Sequence, residues 1–305
     1  GCVLAKLVQC VPNFSEGRRP EVVERIVEAI TNASAVQVVD HSMDVDHNRS
    51  VVTFIGSPED IRKSVLAGAR TAVELIDINK HKGAHPRVGA IDVIPIVPLH
   101  EMSMNEAISL SYTIGKDIAD ELRIPVYFYE RSAVMRHRTN LAVIRKGGYE
   151  SLKARGLVDG REPDLGPPEL HPTAGVTVVG ARGPLIAYNV NLATDDMRAA
   201  RAIAERIRKL RDSGKGMAGV KAIAVHLKSR NIAQVSTNIT QPNQTNVWDV
   251  YYFIEREARE MGVEVLESEL IGAIREEAVL DSLRSATKLQ GLSETRVLDH
   301  WMRRF

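Results

Sequence analysis

The sequence predicts an α/β (α+β) fold of two ferredoxin-like βαββαβ subdomains with mixed sheets, spanning residues 1–180 and 181–305, and three observations predict it. The hydrophobic period alternates between 2 and 3.6 in the order β-α-β-β-α-β up to residue 97. The same order returns in the second half, with little sequence identity between the two. Between them runs GREPDLGPPELHPTAG, whose Pro and Gly content suits a joint or an irregular ligand loop.

Each element has its own reason. KLVQCVPNF reads as one strand ending at Asn13. RPEVVERIVEAIT follows as a helix, with Pro20 near its start and Val22, Val23, Ile26, Val27 and Ile30 at helical spacing. AVQVVD and NRSVVTFIG are β-branched runs, hence strands. SPEDIRKSVLAGARTAVELI opens a helix with Ser57 as N-cap, Pro58 in the first turn and early acids. IDVIPIVPL is another strand, Ser103 and Glu106 form a capping-box pattern before the next helix, and IPVYFY returns as a strand. In the second half the strands are LIAYNVNL, KAIAVHL, IAQVSTNI and VEVLES, with helices over 195–211 and 246–261.

The bulk numbers narrow the function. With 305 residues and 44% hydrophobic content the chain can bury a substantial core. Its 40 basic and 39 acidic side chains nearly cancel, which argues against a nucleic-acid partner and, with no polybasic segment, against an anionic membrane. No apolar run reaches the ~18 residues that span a bilayer. GCVLAKLVQC lacks a charged leader and a long apolar core, so no signal peptide is expected. Cys2 and Cys10, eight positions apart along an extended segment, are too distant for a disulfide, in keeping with a reducing compartment. A soluble cytoplasmic protein acting on a small ligand is expected.

Three constellations could carry chemistry. HKGAHPR places His81, Lys82, His85 and Arg87 in one loop: imidazole exchanges protons near neutrality, and the cations suit an anionic substrate. Gly83 and Pro86 make a helix there improbable, so the four-residue His spacing loses its metal-binding meaning. A surface loop of basic character remains the alternative. DHSMDVDHNRS gathers His41, Asp44, Asp46, His47 and Arg49 between two strands, either a weak metal set or a charged hairpin turn with local Asp and Asn bonds. NFSEGRRPE sets Asn13, Ser15 and Gly17 between strand and helix, either an anion-holding turn or a plain one. The strands add a fourth pattern. Asn189 and Asn191, and likewise Gln234, Ser236 and Asn238, share a face by alternation, as do His47 and Arg49. Those faces are either solvated or turned to a cleft, where amides can read a polar heterocycle.

LVQCVPNFSEG, DHNRSVVTFIG, HKGAHPRVGAIDVIPIVP, LGPPELHPTAGVTVVGARGPLIAYNVNL and NIAQVSTNI together resemble the glutamate formimidoyltransferase (formiminotransferase) family, in order, over residues 6 to about 272. The resemblance implies two α/β subdomains with a ligand tunnel between them, and transfer of a formimino group from N-formimino-L-glutamate to tetrahydrofolate, the co-substrate, in histidine degradation. It implies His85 as general base and acid, and Gly166, Pro167, Pro168, Glu169, Leu170, His171, Pro172, Thr173, Ala174 and Gly175 as the folate segment. A homodimer is expected, no metal is expected, and a cyclodeaminase is expected as a separate chain. Asn13, Asp44, His47, Asn48, Arg49, Lys82 and Arg87 are the candidates for the glutamate donor, with Asp44 or Asp46 steadying the amidinium. Asn189, Asn191, Gln234, Ser236 and Asn238 are those for folate. Rival readings are formyl transfer from N-formylglutamate, a non-catalytic folate-binding module, and a metal hydrolase using His41, Asp44, Asp46 and His47.

Overall fold

Where the first strand was expected to run unbroken through Asn13, the backbone breaks at Pro12, which has no N–H for a ladder bond. The computed structural model describes residues 5–305 and has β1 at Leu7–Cys10 and β2 at Asn13–Phe14, both lying between the same two neighbours. Cys10 is fully buried, which pushes its thiol pKa up, while Cys2 lies outside the described residues.

The rest of the first half follows in sequence. It comprises α1 (Pro20–Ala33), β3 (Gln37–Asp44), β4 (Arg49–Gly56), α2 (Pro58–Leu75), β5 (Ile91–His100), α3 (Met104–Leu122) and β6 (Val126–Phe128), then α4 (Leu141–Arg145), α5 (Gly148–Arg155) and β7 (Thr177–Ala181). Local chemistry sets the ends. Ser57 Oγ accepts from Asp60 N ahead of α2 at 3.2 Å, and the Ser103–Glu106 capping box closes on both sides at 3.1 Å. Helix α1 buries Val22, Val23, Ile26 and Ile30 of the expected stripe, with Val27 partly buried against the core.

These strands form one mixed seven-stranded sheet. β3 edges β4, β1 and β2 separate β4 from β5, and β7 and β6 extend the far side in parallel. No strand is expected between IPVYFY and LIAYNVNL, where β7 lies. Its run Thr177–Ala181 is wholly buried between β5 and β6. Alternation sends Val126 and Phe128 into the larger core with α1, α2 and α3, and Tyr127 and Tyr129 into a smaller one with Leu152 of α5. Each fully buried isoleucine, such as Ile26, Ile94 or Ile114, contributes roughly 1.5–3 kcal/mol.

The chain passes from one compact unit to the other between Gly183 and Pro184. The second unit comprises β8 (Ile186–Leu192), α6 (Met197–Asp212), β9 (Val220–Leu227), β10 (Ile232–Ile239), α7 (Val247–Glu260), β11 (Val265–Ile271), α8 (Glu276–Thr287) and α9 (Leu298–Met302). Its four strands, in the order β11-β8-β10-β9, pair antiparallel throughout. The same neighbours recur in the first sheet, where β5, β1 with β2, β4 and β3 stand in for the fourth, first, third and second strands of a βαββαβ unit. No helix of the described residues is long and apolar enough to cross a membrane.

Candidate active site

The β3–β4 hairpin turns on its own side chains. Asp44 Oδ1 accepts from Asp46 N at 2.9 Å and His47 N at 2.8 Å, and Asn48 takes a left-handed φ of 50° to re-enter the strand. This is the charged-turn reading of DHSMDVDHNRS. Among the described residues, the group of imidazole and carboxylate ligand atoms close enough to share an ion is Glu276, Glu294 and His300, not the hairpin.

Asn48, 6% exposed, ties three segments together. Its Oδ1 accepts from Gly17 N at 2.9 Å, its Nδ2 donates to Lys82 O at 2.9 Å, and its carbonyl meets His81 Nε2 at 2.6 Å. The glycines allow the approach. A Cβ on Gly17 would lie 2.1 Å from the Asp44 carbonyl, and one on Gly83 would lie 2.3 Å from that of His47. The turn before α1 holds an anion, but its own: Glu16 accepts from Arg18 N, Arg19 N and Arg19 Nε. Asn13 spends its Nδ2 on Val11 O at 2.9 Å.

The histidine loop is braced in the same way. Arg87 donates Nε to His81 Nδ1 at 2.8 Å and Nη2 to His81 O at 3.0 Å, and grips the Glu150 carboxylate with both Nη atoms at 2.8 and 2.6 Å. That clamp pulls the Glu150 carboxyl down to about 2. Arg87, expected to meet substrate, is thereby committed to the loop, while Lys82 is exposed. Burial holds the His81 imidazole below its ordinary pKa.

His85 sits at the centre. Its Nδ1 lies 2.8 Å from Pro86 O, an acceptor, and its Nε2 meets Nη1 of Arg49, a donor. Only the neutral tautomer with the proton on Nδ1 satisfies both partners. Burial disfavours the imidazolium, and the charges of Arg49 and Arg145 add to that, so the pKa falls well below 6.5. The Arg49 guanidinium is itself pushed down to about 10 by burial and by Arg145. His47, 7% exposed, holds its ring 5.7 Å from that of His85. The loop therefore presents an unprotonated imidazole nitrogen beside a guanidinium.

Two residues were not foreseen. Asp92 of β5, 3% exposed, accepts from Val88 N at 2.6 Å and from Nη2 of Arg145 at the end of α4. A carboxylate inside the apolar run IDVIPIVPL was the available signal, whereas Arg145 in LAVIRKGG carried none.

Residues 166–175 fold against this region. His171 and Gly175 exchange backbone bonds at 3.0 and 3.2 Å, and His171 Nδ1 accepts from Thr173 N and Ala174 N. Thr173 O accepts from Ile78 N, Pro172 O from Asn79 Nδ2, and Ala174 O from Ala90 N, so the segment flanks both ends of the histidine loop. Gly166 and Gly175 take positive φ, Leu170 packs on the smaller core, and Pro168 and Glu169 are exposed.

In the second unit, Asn189, Asn191 and Gln234 form a row on the sheet face opposite the one packed by α6 and α7. Gln234 Nε2 donates to Asn191 Oδ1 at 2.9 Å, while Asn189 and Asn191 donate to Glu269 and Glu267 of β11 at 3.0 and 3.2 Å. Those two carboxylates were also not foreseen. Ser236 is half-buried on the same strand face and Asn238 exposed.

Sequence comparisons extend over both units. Residues 7–182 match the formiminotransferase domain, N-terminal subdomain, and residues 187–295 the formiminotransferase domain. The chain is 42% identical to a glutamate formimidoyltransferase of Streptococcus pyogenes serotype M1 over 91% of its length and 92% of the relative's. It is 40% identical to one from Thermoplasma acidophilum, over 97% of each. It is also 40% identical to the formimidoyltransferase-cyclodeaminase of Rattus norvegicus over 92% of its length, which is 52% of that longer protein. With both subdomains matched in order and the identity sustained from end to end, the chain belongs to the formiminotransferase family.

Proposed function

We propose that this chain is a glutamate formimidoyltransferase, moving the formimino group of N-formimino-L-glutamate to tetrahydrofolate and releasing 5-formimidoyl-tetrahydrofolate and L-glutamate, with His85 as its proton-transfer group. The observation that carries the residue assignment is the pair of bonds at His85. Nδ1 is held by Pro86 O, so the lone pair lies on Nε2, and depression of the pKa keeps it there at neutral pH.

The pterin nitrogen-5 attacks the amidine carbon, and the new C–N bond leaves a proton on that nitrogen. Nε2 takes this proton. As the bond from carbon to the glutamate nitrogen breaks, the imidazolium returns a proton to the departing nitrogen, so one group serves both halves and ends neutral. Alignment of two bound reactants supplies much of the remaining rate.

Arg49 and Lys82 carry the charges for the donor's carboxylates. Asp44, His47, Asn48, Arg87 and Asn13 keep the hairpin and the loop in register around His85. The folate candidates are residues 166–175 in the first unit and Asn189, Asn191, Gln234, Ser236 and Asn238 in the second. The chemistry asks for no metal. A cytoplasmic homodimer acting in histidine degradation is the setting that suits this donor, and a cyclodeaminase is the class of enzyme to consume the product, as the double name of the rat relative pairs the two activities.

The test is to offer tetrahydrofolate with either N-formimino-L-glutamate or N-formyl-L-glutamate. Turnover of the formimino donor is expected. Turnover of the formyl donor alone would move the substrate assignment, and folate binding without either reaction would leave a binding module.

A further inference from the structure

Arg145 stands outside every role given so far, yet its placement is built. The register through Phe14, paired with Ser50 of β4 on one side and Ile91 of β5 on the other, sets Arg49 and Asp92 each next to that level, on strands with β2 between them. Strands with one between them lie about 10 Å apart. Asp92 holds Arg145 by Nη2 alone. Among the described residues neither Nε nor Nη1 of Arg145 makes a hydrogen bond, and Nε is fully buried. A buried donor left without an acceptor costs about 1–3 kcal/mol, so the Asp92 contact leaves this guanidinium with hydrogen-bonding capacity to spare. The side chain is 13% exposed and therefore reachable. Its charge reaches both Arg49 and His85. Two guanidiniums thus act on the imidazole, Arg49 by direct contact and Arg145 through its charge, and the buried carboxylate of Asp92 holds Arg145.

We propose that Arg145, braced by Asp92, is a second anion-binding arm of this site, and that a donor carboxylate seated between Arg145 and Arg49 draws Arg49 off Nε2 of His85. The inference rests on the proposed transferase reading and adds a mechanism of selection to it. Without a carboxylate, Arg49 covers the nitrogen that must accept the proton. With one, Arg49 gains a better partner than a neutral imidazole, since a carboxylate offers the guanidinium an opposite charge and two acceptor oxygens that match its fork. The base is then uncovered by the same group that identifies the donor. Amidines lacking the carboxylate leave it covered. Asp92 is a positioning residue here, acting through Arg145.

The experiment compares wild type with Arg145→Gln. The variant should raise KM for the donor about tenfold or more, equivalent to ~1.4 kcal/mol, and leave KM for tetrahydrofolate within about twofold. In parallel, the His85 ring resonances are followed by NMR while N-acetyl-L-glutamate, an unreactive dicarboxylate mimic, is added. They should move in wild type as Nε2 loses Arg49, and should stay in place at the same concentration in the variant. Wild-type donor KM in Arg145→Gln, equal rises for both substrates, or unchanged ring movement would overturn the proposal. If Arg145→Gln does not fold, Arg145→Lys keeps the ion pair with Asp92 but loses the planar fork, and the same two readouts decide. Absence of formimino transfer by wild type sinks the transferase reading instead, and the mimic titration then judges the Arg145 arm alone.

Discussion

The histidine loop of the first unit and the amide row of the second are both polar regions resting on a sheet, but they are held in different ways. Around His85 the side chains bond mainly to backbone: Asn48 reaches Gly17 and Lys82, Arg87 reaches His81, Asp92 reaches Val88. On the second sheet, side chains bond to side chains, with Gln234 on Asn191 and Asn189 and Asn191 on Glu269 and Glu267. A backbone partner cannot swing away, whereas amide and carboxylate partners can exchange. The first arrangement suits a proton transfer, where misplacement by an ångström is costly. The second suits recognition of a heterocycle, where donors and acceptors are traded for those of the ligand.

The comparison breaks most sharply at His85. His85→Ala should lower kcat about 10²- to 10⁴-fold with both KM values near wild type, read in steady-state transfer assays; kcat within a few-fold of wild type would remove the base from this position. Next comes the backbone framework. Gly17→Ala puts a methyl 2.1 Å from the Asp44 carbonyl, and overpacking of this kind costs about 1–3 kcal/mol. Thermal unfolding of the variant should start several degrees lower; an unchanged Tm would show that the turn has slack. On the second sheet, Asn191→Ala should raise KM for tetrahydrofolate roughly tenfold and leave the donor's KM little changed, while the melting point drops because the buried Gln234 Nε2 loses Asn191 Oδ1 as an acceptor. If kcat falls instead, the row is part of the chemistry and the contrast fails.

The pH profile sharpens the contrast without a mutation. Burial, Arg49 and Arg145 all disfavour the His85 imidazolium, so the unprotonated form survives below the ordinary histidine range. The acid limb of kcat/KM should accordingly fall below pH ~6.5. An acid limb at or above that value would mean that the base titrates in a more open environment than the loop provides.

Much of this was legible beforehand. Period and capping placed the helices from Ser57 and from Ser103 because those signals act within a turn of the chain. His85, Arg49 and the 166–175 segment stood out by residue type and by resemblance. What Arg87 does with its charge was not legible, since Glu150 lies 63 residues away. Nor was Arg145, whose partner Asp92 is 53 residues distant. The split at Pro12 could have been read from the missing N–H, but the pairing that makes both pieces neighbours of β4 and β5 could not.

By itself, then, the order of amino acids determined the elements, their repeat in two halves and the kinds of side chain available for the chemistry, because local propensity and alternation depend on near neighbours. Tertiary structure alone decided which cations are spent and which remain. It set Arg87 onto Glu150, Asp44 into its own turn, and Arg49 onto His85 beside Arg145. A charge takes its partner from whatever the fold brings within a few ångströms, and strand register, not sequence distance, sets that neighbourhood.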